Sequence, residues 1–353
     1  MRNMIRYKVG IWGQFGDGGK IADGQAVRTT IITRELQRKY GNDEVGIVNT
    51  NNWKKRKLSF LLESIKLVRD SQIVIIAPAD NGYKVFVPIL VLLNLLYRRR
   101  LFHVVIGGFL PSLLKSKPLY LKFENRFSTL FVQTENLKRD LYEIGITSDI
   151  QILSNLKRLD TRKSQDLRLV KDKYIKVCVF SRIYKDKGVE DAIEAVRMLN
   201  TRLGERCVSL DLYGLLPDSY KDRLHELLTK NSDIVEYKGI IDYDRTVEVL
   251  KDYFVMLFPT YYHGEGFPGN VIDAYNSGLP MIATDWLYNS EVVLDGRTGL
   301  LVPVKDPVSL CDALSRLYAD RELHYKLSQN ALKESSKYSP DKVLANLYNE
   351  IEK

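Results

Sequence analysis

The sequence is poor in cysteine and histidine, and each shortage excludes a class of protein. Its three cysteines are odd in number, widely spaced and form no CxxC pair, which excludes a disulfide framework and a cysteine zinc site (Cys178, Cys207, Cys311). The four histidines are scattered along the chain, so the sequence predicts no metal centre (His103, His225, His263, His324).

No segment is apolar for long enough to cross a membrane. The longest apolar run, residues 85–97, has thirteen residues, whereas a spanning helix needs ~20. The first residues, MRNMIRYKVGIWG, also lack the apolar core of a secretory signal. Together with the few cysteines, these absences predict a protein of the reducing cytoplasm.

Positive charge is concentrated in the first half of the chain. Residues 1–157 hold 25 Lys and Arg against 13 Asp and Glu, a net charge of +12, and residues 158–353 hold 28 against 31, a net charge of −3. This asymmetry predicts an anionic surface or partner for the first half. An ordinary charge for solubility is the alternative interpretation.

Short apolar strands alternate with helical segments in both halves. Strands are predicted at residues 7–12, 45–49, 72–77, 102–106, 129–133, 150–153, 176–180, 234–239 and 253–258. Such alternation is typical of α/β domains with doubly wound parallel sheets. Because 353 residues exceed one ordinary core, we expect two domains, residues 1–157 and 176–337, joined by a charged linker at 158–175. A C-terminal helix at 338–353 is expected to pack back toward the first domain.

A glycine-rich segment, GQFGDGGKIADGQ, separates the first strand from the first helix. Glycines let the backbone approach a phosphate closely, so this loop is a candidate ligand loop (Gly16, Gly18, Gly19, Gly24). Its spacing is not GxGxxG, which excludes a dinucleotide fingerprint. Glycines kept only for turn geometry are the alternative.

The apolar run at residues 85–97 is followed by three arginines. One interpretation is a buried helix of the first domain. The other is a helix that lies on a membrane surface, with the arginines at anionic head groups. The buried helix is the preferred interpretation, and the positive charge of the first half keeps the membrane-surface helix open as the alternative.

Two loops of the second half carry residues suited to a phosphorylated, hydroxyl-rich ligand. In SRIYKDKG, Arg182 and Lys187 precede a helix, where cations and free N–H groups can bind a diphosphate. In PTYYHGEGFPGNVIDAYNSGLPMIATD, Glu265 lies in the loop after a strand and Asp273 lies in the next helix. Ligands of open parallel sheets bind at this edge. Ordinary solvated lysines are the alternative for the first loop.

These motifs resemble retaining GT-B glycosyltransferases of glycosyltransferase family 4, the glycosyl transferases group 1. The similarity rests on SRIYKDKG, YGLLPD, EYKGII, EGFPGNVIDAYNSGLP and NSEVVLDGRTGLLVPVKDP, in that order, with LFVQTENLKRDLYEIG in the first half. The first half is similar to bacterial capsule and surface-polysaccharide enzymes. The resemblance implies a GT-B fold, in which two Rossmann-like doubly wound domains face a cleft.

The resemblance also implies roles for individual residues. Arg182 and Lys187 would bind the diphosphate, and Glu265 would hold hydroxyls of the donor sugar. These three are the implied catalytic residues. The implied donor-binding residues are Gly266, Phe267, Asp273, Ile240, Ile241, Gly16, Gly18, Gly19 and Gly24, and the acceptor-side candidates are Gly107 and Gly108. The nucleotide sugar is a substrate, and no metal or other cofactor is implied.

The sequence departs from the family pattern at two places. The second acidic residue of the family's E-x7-E motif is Asp273, one methylene shorter than glutamate, which still can accept two hydroxyl hydrogen bonds. Many members carry a histidine where this chain has Gly107 and Gly108, and His103 lies inside the preceding strand, where a structural role is expected.

The predicted function is transfer of a sugar from a nucleotide sugar, a UDP-sugar first, to a lipid-linked or polysaccharide acceptor with retention of configuration. The chain would act in cell-surface polysaccharide synthesis, in the cytoplasm or as a peripheral protein in contact with an anionic membrane at the inner face of the plasma membrane. The alternative is a non-catalytic GT-B subunit that recruits a partner glycosyltransferase. No nucleic acid partner is predicted.

Overall fold

Two six-stranded parallel sheets, one in each half of the chain, form the centres of the computed structural model, which describes residues 5–15 and 24–353. The described residues up to Lys157, together with Pro340–Lys353, form the first compact unit, and Arg158–Ser339 form the second. The predicted α/β class with doubly wound parallel sheets is confirmed.

The first sheet has the order β2-β1-β3-β4-β5-β6, and every neighbouring pair is parallel (β1, Tyr7–Gly13; β2, Val45–Asn49; β3, Ser71–Ala77; β4, Arg100–Val104; β5, Thr129–Val132; β6, Asp149–Ile152). The strands are near-continuous apolar runs because helices cover both faces of the sheet. In the described residues, six helices connect the strands (α1, Gly24–Tyr40; α2, Lys57–Asp70; α3, Asp80–Tyr97; α4, Leu110–Ser116; α5, Leu119–Glu124; α6, Glu135–Ile144).

The apolar run at residues 85–97 forms all of α3 after its first five residues. Its inward face is buried in the unit through Tyr83, Phe86 and Leu90. Its outward face leaves Leu92, Leu95 and Leu96 exposed. The interpretation of this segment as a buried helix is therefore confirmed for the inward face and wrong for the outward face.

The second sheet has the order β12-β11-β10-β7-β8-β9, again parallel throughout (β7, Ile175–Phe180; β8, Val208–Tyr213; β9, Val235–Gly239; β10, Val255–Phe258; β11, Met281–Thr284; β12, Gly299–Val302). Its helices pack on both faces (α7, Val189–Leu203; α8, Lys221–Lys230; α9, Thr246–Leu250; α10, Asn270–Asn276; α11, Asn289–Val292; α12, Pro307–Ala319; α13, Arg321–Ser335). All three cysteines are buried in this unit as free thiols.

Residues 158–175 and the last helices each pack on one of the two units. Residues 158–175, predicted as a linker, lie against the second unit, where Arg162 N donates to Asn276 O at 2.8 Å. The last helices return to the first unit (α14, Pro340–Val343; α15, Ala345–Glu352). There Leu344 and Leu347 pack in one cluster with Val9 and Ile32.

None of the helices in the described parts of the chain combines the length and the apolar character needed to cross a membrane.

A buried histidine of the second unit makes stability depend on pH. His324 stacks on Phe254 with ring centroids 3.9 Å apart, and its Nε2 lies 2.6 Å from Phe254 O. Burial lowers the pKa of His324 from 6.5 to about 4. Between these values the unfolded chain binds the proton and the folded chain does not, so the free energy of unfolding falls as the pH falls from 6.5 to 4, by about 3 kcal/mol.

In His324→Gln, the new side chain keeps a hydrogen-bond donor and cannot titrate. We therefore expect its free energy of unfolding to fall by correspondingly less over the same pH range. Denaturant unfolding of both proteins at several pH values measures the two slopes. Equal pH dependence in the two proteins would show that His324 is not the group responsible.

Candidate functional site

Two loops meet at the carboxyl edge of the second sheet. One follows β7 and leads into α7, and the other follows β10 and leads into α10. Because β7 and β10 are paired neighbours, the loops lie side by side. Tyr261 N donates to Asp186 O at 2.9 Å, which joins the two loops by their backbones. The structure thereby brings the predicted diphosphate loop against the predicted sugar loop.

Glycine is required where the loops approach most closely. Gly188 has φ +70°, and a Cβ built on it would lie 2.1 Å from Pro259 O. Any side chain would therefore push the two loops apart. The sequence pattern showed Gly188 only as the residue before a helix.

Lys187 and Glu265, which are 78 residues apart, form an ion pair across the joined loops. Their side chains are only 11% and 10% exposed, so the pair is little screened by water. Thr260 Oγ1 donates to Glu265 Oε2 at 3.0 Å, and the Lys187 ammonium lies 4.9 Å from the centre of the Tyr262 ring. Two of the three predicted catalytic residues are thus in contact, with one carboxylate oxygen fixed by two donors.

Arg182 lies at the start of the same loop and is exposed to solvent. It lies two residues after the end of β7 and two residues before the half-buried Tyr184, whose pKa is raised by burial. An exposed guanidinium in the loop that carries Lys187 can offer hydrogen bonds to an anion at the surface of the site.

Asp273 lies on α10 and is fully buried. Thr246 Oγ1, at the start of α9, donates to Asp273 Oδ1 at 2.9 Å. The shorter aspartate is therefore held by a hydroxyl of the neighbouring helix. The binding of ribose hydroxyls by Asp273 stays a prediction.

The remaining predicted donor residues lie around these two loops. Gly266 and Phe267 are buried in the β10–α10 loop, and the Phe267 ring meets Tyr338 at 5.1 Å. Ile240 and Ile241 follow β9, the first exposed and the second half-buried. Asn270, which the sequence analysis did not select, donates from Nδ2 to Phe180 O at 2.7 Å and so fixes the start of α10 to the end of β7.

In the first unit, the described candidates lie at the same edge of their own sheet. Gly107 N donates to Gln133 Oε1 at 3.1 Å, and Gly108 follows half-buried. Gly24 begins α1, whereas Gly16, Gly18 and Gly19 lie outside the described residues. No pattern in the sequence selects Arg28, yet its buried guanidinium donates to Val105 O at 3.2 Å and to Leu153 O at 2.5 Å.

His103 is fully buried and its Nδ1 bonds Glu124, which also accepts a hydrogen bond of 2.6 Å from the Tyr83 hydroxyl. This cluster ties β4 to α3 and α5. Among the described residues, no group of three His, Cys, Asp or Glu side chains is arranged to hold a metal ion.

Comparison with known proteins relates the second unit to a family of glycosyltransferases. The model of the family "Glycosyl transferases group 1" matches residues 160–334. The capsular polysaccharide biosynthesis glycosyltransferase CapM of Staphylococcus aureus is 26% identical over 61% of this chain and 57% of its own length. The poly(glycerol-phosphate) alpha-glucosyltransferase of Bacillus subtilis is 27% identical over 51% of this chain and 26% of its own length. The chain thus spans little more than half of one relative and a quarter of the other.

The crystal structure of HepE from Anabaena in complex with UDP is similar over 98% of this chain and 99% of that chain. Its TM-score is 0.78 and its sequence identity is 14%, a likeness that establishes the fold. Residues 160–334 therefore match the model of the Glycosyl transferases group 1 family, and the chain has the GT-B fold.

Proposed function

We propose that this chain is a retaining glycosyltransferase that transfers a sugar from a UDP-sugar to a lipid-linked or polysaccharide acceptor, in the synthesis of a cell-surface polysaccharide. The observation that carries the proposal is the Lys187–Glu265 pair at the joined loops of a group 1 domain. It puts a cation for the leaving diphosphate next to a carboxylate for sugar hydroxyls.

The Lys187 ammonium can serve both partners at once. It has three N–H donors, and the bond to Glu265 uses one of them. The others can bond phosphate oxygens, with Arg182 adding a second cation at the exposed end of the loop. Cations held where negative charge develops stabilise the departure of a nucleoside diphosphate.

Glu265 positions the sugar in this proposal. Its Oε2 is held by Lys187 and Thr260, so the other oxygen is available to accept hydrogen bonds from sugar hydroxyls. The N–H groups of Gly266 and Phe267 lie next in the chain and complete the donor-sugar contacts. Asp273 accepts from the ribose hydroxyls, and the backbone at Ile240 and Ile241 meets the base.

Retention is supported by the name of one relative. The Bacillus subtilis enzyme is an alpha-glucosyltransferase, and an α-linked product from an α-linked donor preserves configuration. In the proposed front-face reaction, the bond from the sugar to the leaving phosphate breaks as the acceptor oxygen attacks from the same face. The phosphate oxygen takes the acceptor proton. The proposal requires no metal or other cofactor.

The acceptor class is supported by CapM, which is named for capsular polysaccharide biosynthesis. Acceptors of such pathways are glycans or lipid-linked glycans, and Gly107 and Gly108 are proposed on the acceptor side. The same proposal places the chain at the inner face of the plasma membrane as a peripheral protein.

A donor screen tests the function. We expect UDP-sugars, among UDP-, GDP- and ADP-sugars, to raise the melting temperature, because a ligand bound only by the folded state stabilises it. UDP should be released faster with a lipid-linked acceptor than by hydrolysis of the donor without one, and this release should persist in EDTA. NMR of the product should show an α linkage.

Absence of nucleotide binding by calorimetry would contradict this function. It would favour a non-catalytic GT-B subunit that recruits a partner glycosyltransferase. One observation favours this alternative: the buried Asp273 carboxylate, proposed to bind the ribose, already accepts a hydrogen bond from Thr246.

A further inference from the structure

Helices α2 and α3 of the first unit expose six leucines to solvent. On α2 they lie at spacings of three and four residues, and the same spacings recur on α3 (Leu58, Leu61, Leu62, Leu92, Leu95, Leu96). Side chains at such spacings lie on one face of a helix. Leu58 is 74% exposed and Leu96 is 78% exposed. Single exposed leucines are normal, but a contiguous set marks an interaction surface.

The two helices lie side by side. Near their first turns, the rings of Phe60 and Phe86 are 5.6 Å apart. At the other end, Arg99 Nη2, two residues after α3, donates to Arg69 O in the last turn of α2 at 2.6 Å. The helices therefore run in the same direction as neighbours, and their outward leucines belong to one side of the unit.

The inward faces of the same helices are also apolar. Phe60, Leu67 and Val68 of α2, with Phe86 and Leu90 of α3, are buried. A helix that faces the core on one side and water on the other normally carries polar residues outward. Here the exposed residues in the last turns of α3 are all leucines, and α2 carries three leucines among its exposed polar side chains. The fold of the unit does not explain these leucines.

Positive charge surrounds this apolar side. Residues 53–126, which contain both helices, hold 14 Lys and Arg against 4 Asp and Glu, an excess of +10. Three of the four acidic side chains pair with basic residues of the segment, and the fourth, Glu124, is buried. Exposed Lys54, Lys55 and Lys57 precede or begin α2, and Arg98 follows α3. Exposed cations therefore lie at both ends of the leucine rows.

We propose that the outer face of α2 and α3 is a docking surface for an anionic lipid bilayer. The leucines enter the boundary between head groups and acyl chains, while the flanking lysines and arginines contact lipid phosphates. A second copy of this chain is a poorer occupant, because a symmetric contact would place two faces of the same positive charge together. The inference deepens the proposed function, since a lipid-linked acceptor lies at such a membrane.

Co-sedimentation of the full chain with phosphatidylcholine vesicles, with and without phosphatidylglycerol, tests the surface. We expect binding to the anionic vesicles that weakens as salt rises. Lys54→Glu/Lys55→Glu should weaken it about 30-fold or more, at about fivefold for each basic residue lost. Leu95→Gln/Leu96→Gln should weaken it about 100-fold through lost apolar burial.

Matched variants on the second unit serve as controls. Lys326→Glu/Lys333→Glu reverses two exposed charges of α13, and Leu215→Gln replaces an exposed leucine. Both should bind vesicles as the wild type does. The proposal is overturned if the wild type ignores anionic vesicles or binds neutral ones equally. It is also overturned if the leucine variant keeps its vesicle binding and instead loses self-association.

The donor assays separate this inference from the proposed function. We expect the α2 and α3 variants to keep the melting-temperature shift caused by the UDP-sugar, which also shows that they are folded. A wild type that binds vesicles but binds no nucleotide would end the proposed function and leave the docking surface in place. A wild type that turns over the donor but does not bind vesicles would end the docking surface and leave the proposed function in place.

Discussion

Replacing Lys187 with methionine is expected to lower the rate of UDP release about 10²- to 10³-fold, the usual effect of removing one preorganised group that stabilises developing charge. The Lys187 side chain is 11% exposed and its ammonium pairs with Glu265, so its loss removes the cation that faces this carboxylate. Steady-state UDP release at saturating donor measures the change.

Lys185→Met is the matched control for Lys187→Met. Lys185 lies two residues earlier in the same loop but points into solvent, so its replacement should leave turnover within about twofold, as screened surface charges contribute little. Equal losses in the two variants would mean that the loop responds to net charge and that the Lys187–Glu265 pair has no particular role.

The loss of Lys187 also leaves the Glu265 carboxylate without its cation, and this effect must be separated from catalysis. Removing one partner of a buried pair is destabilising, because the remaining charge is uncompensated. The double variant Lys187→Met/Glu265→Gln removes both charges and should regain part of the melting temperature while turnover stays low. If turnover returns with stability, Lys187 acts only through the fold.

Much of the fold is predictable because local sequence patterns indicate its strands and helices. Strands such as 45–49 and 176–180 were predicted within one residue of their observed ends, since apolar runs between turn residues define a buried parallel strand. The alternation of these strands with helices indicates the parallel sheets, which are confirmed. Segment 158–175 has no such periodicity, and only the structure shows that it packs on the second unit.

The contacts of the site could not be predicted from the residues alone. Sequence spacing relates Glu265 to Asp273, but it does not show that Glu265 pairs with Lys187, 78 residues away. Likewise Thr246 lies in the unremarkable segment DYDRTVEVL, and its bond to Asp273 arises because α9 packs beside α10. Such pairings depend on the order of strands in the sheet, which local patterns leave open.

The second large effect is expected from Gly188→Ala, which should lower the free energy of unfolding by about 3–5 kcal/mol. Part of this, about 1–2 kcal/mol, is the cost of placing Cβ in the left-handed conformation at φ +70°. The rest comes from overpacking, because the new Cβ would lie 2.1 Å from Pro259 O and the β10 loop must move. Denaturant unfolding measures the loss, and donor binding should weaken because the moved loop carries Glu265.

Gly204→Ala isolates the close approach from the backbone strain. Gly204 ends the helix that Gly188 begins, it has the same φ of +70°, and no atom lies within 4 Å of a Cβ built on it. Its replacement should therefore cost only the conformational part, about 1–2 kcal/mol, and should leave donor binding unchanged. The difference between the two variants measures how tightly the loop of Lys187 is held against the loop of Glu265. Equal costs in the two variants would mean that the loops separate freely, and the geometry of the ion pair would then not be fixed by the backbone.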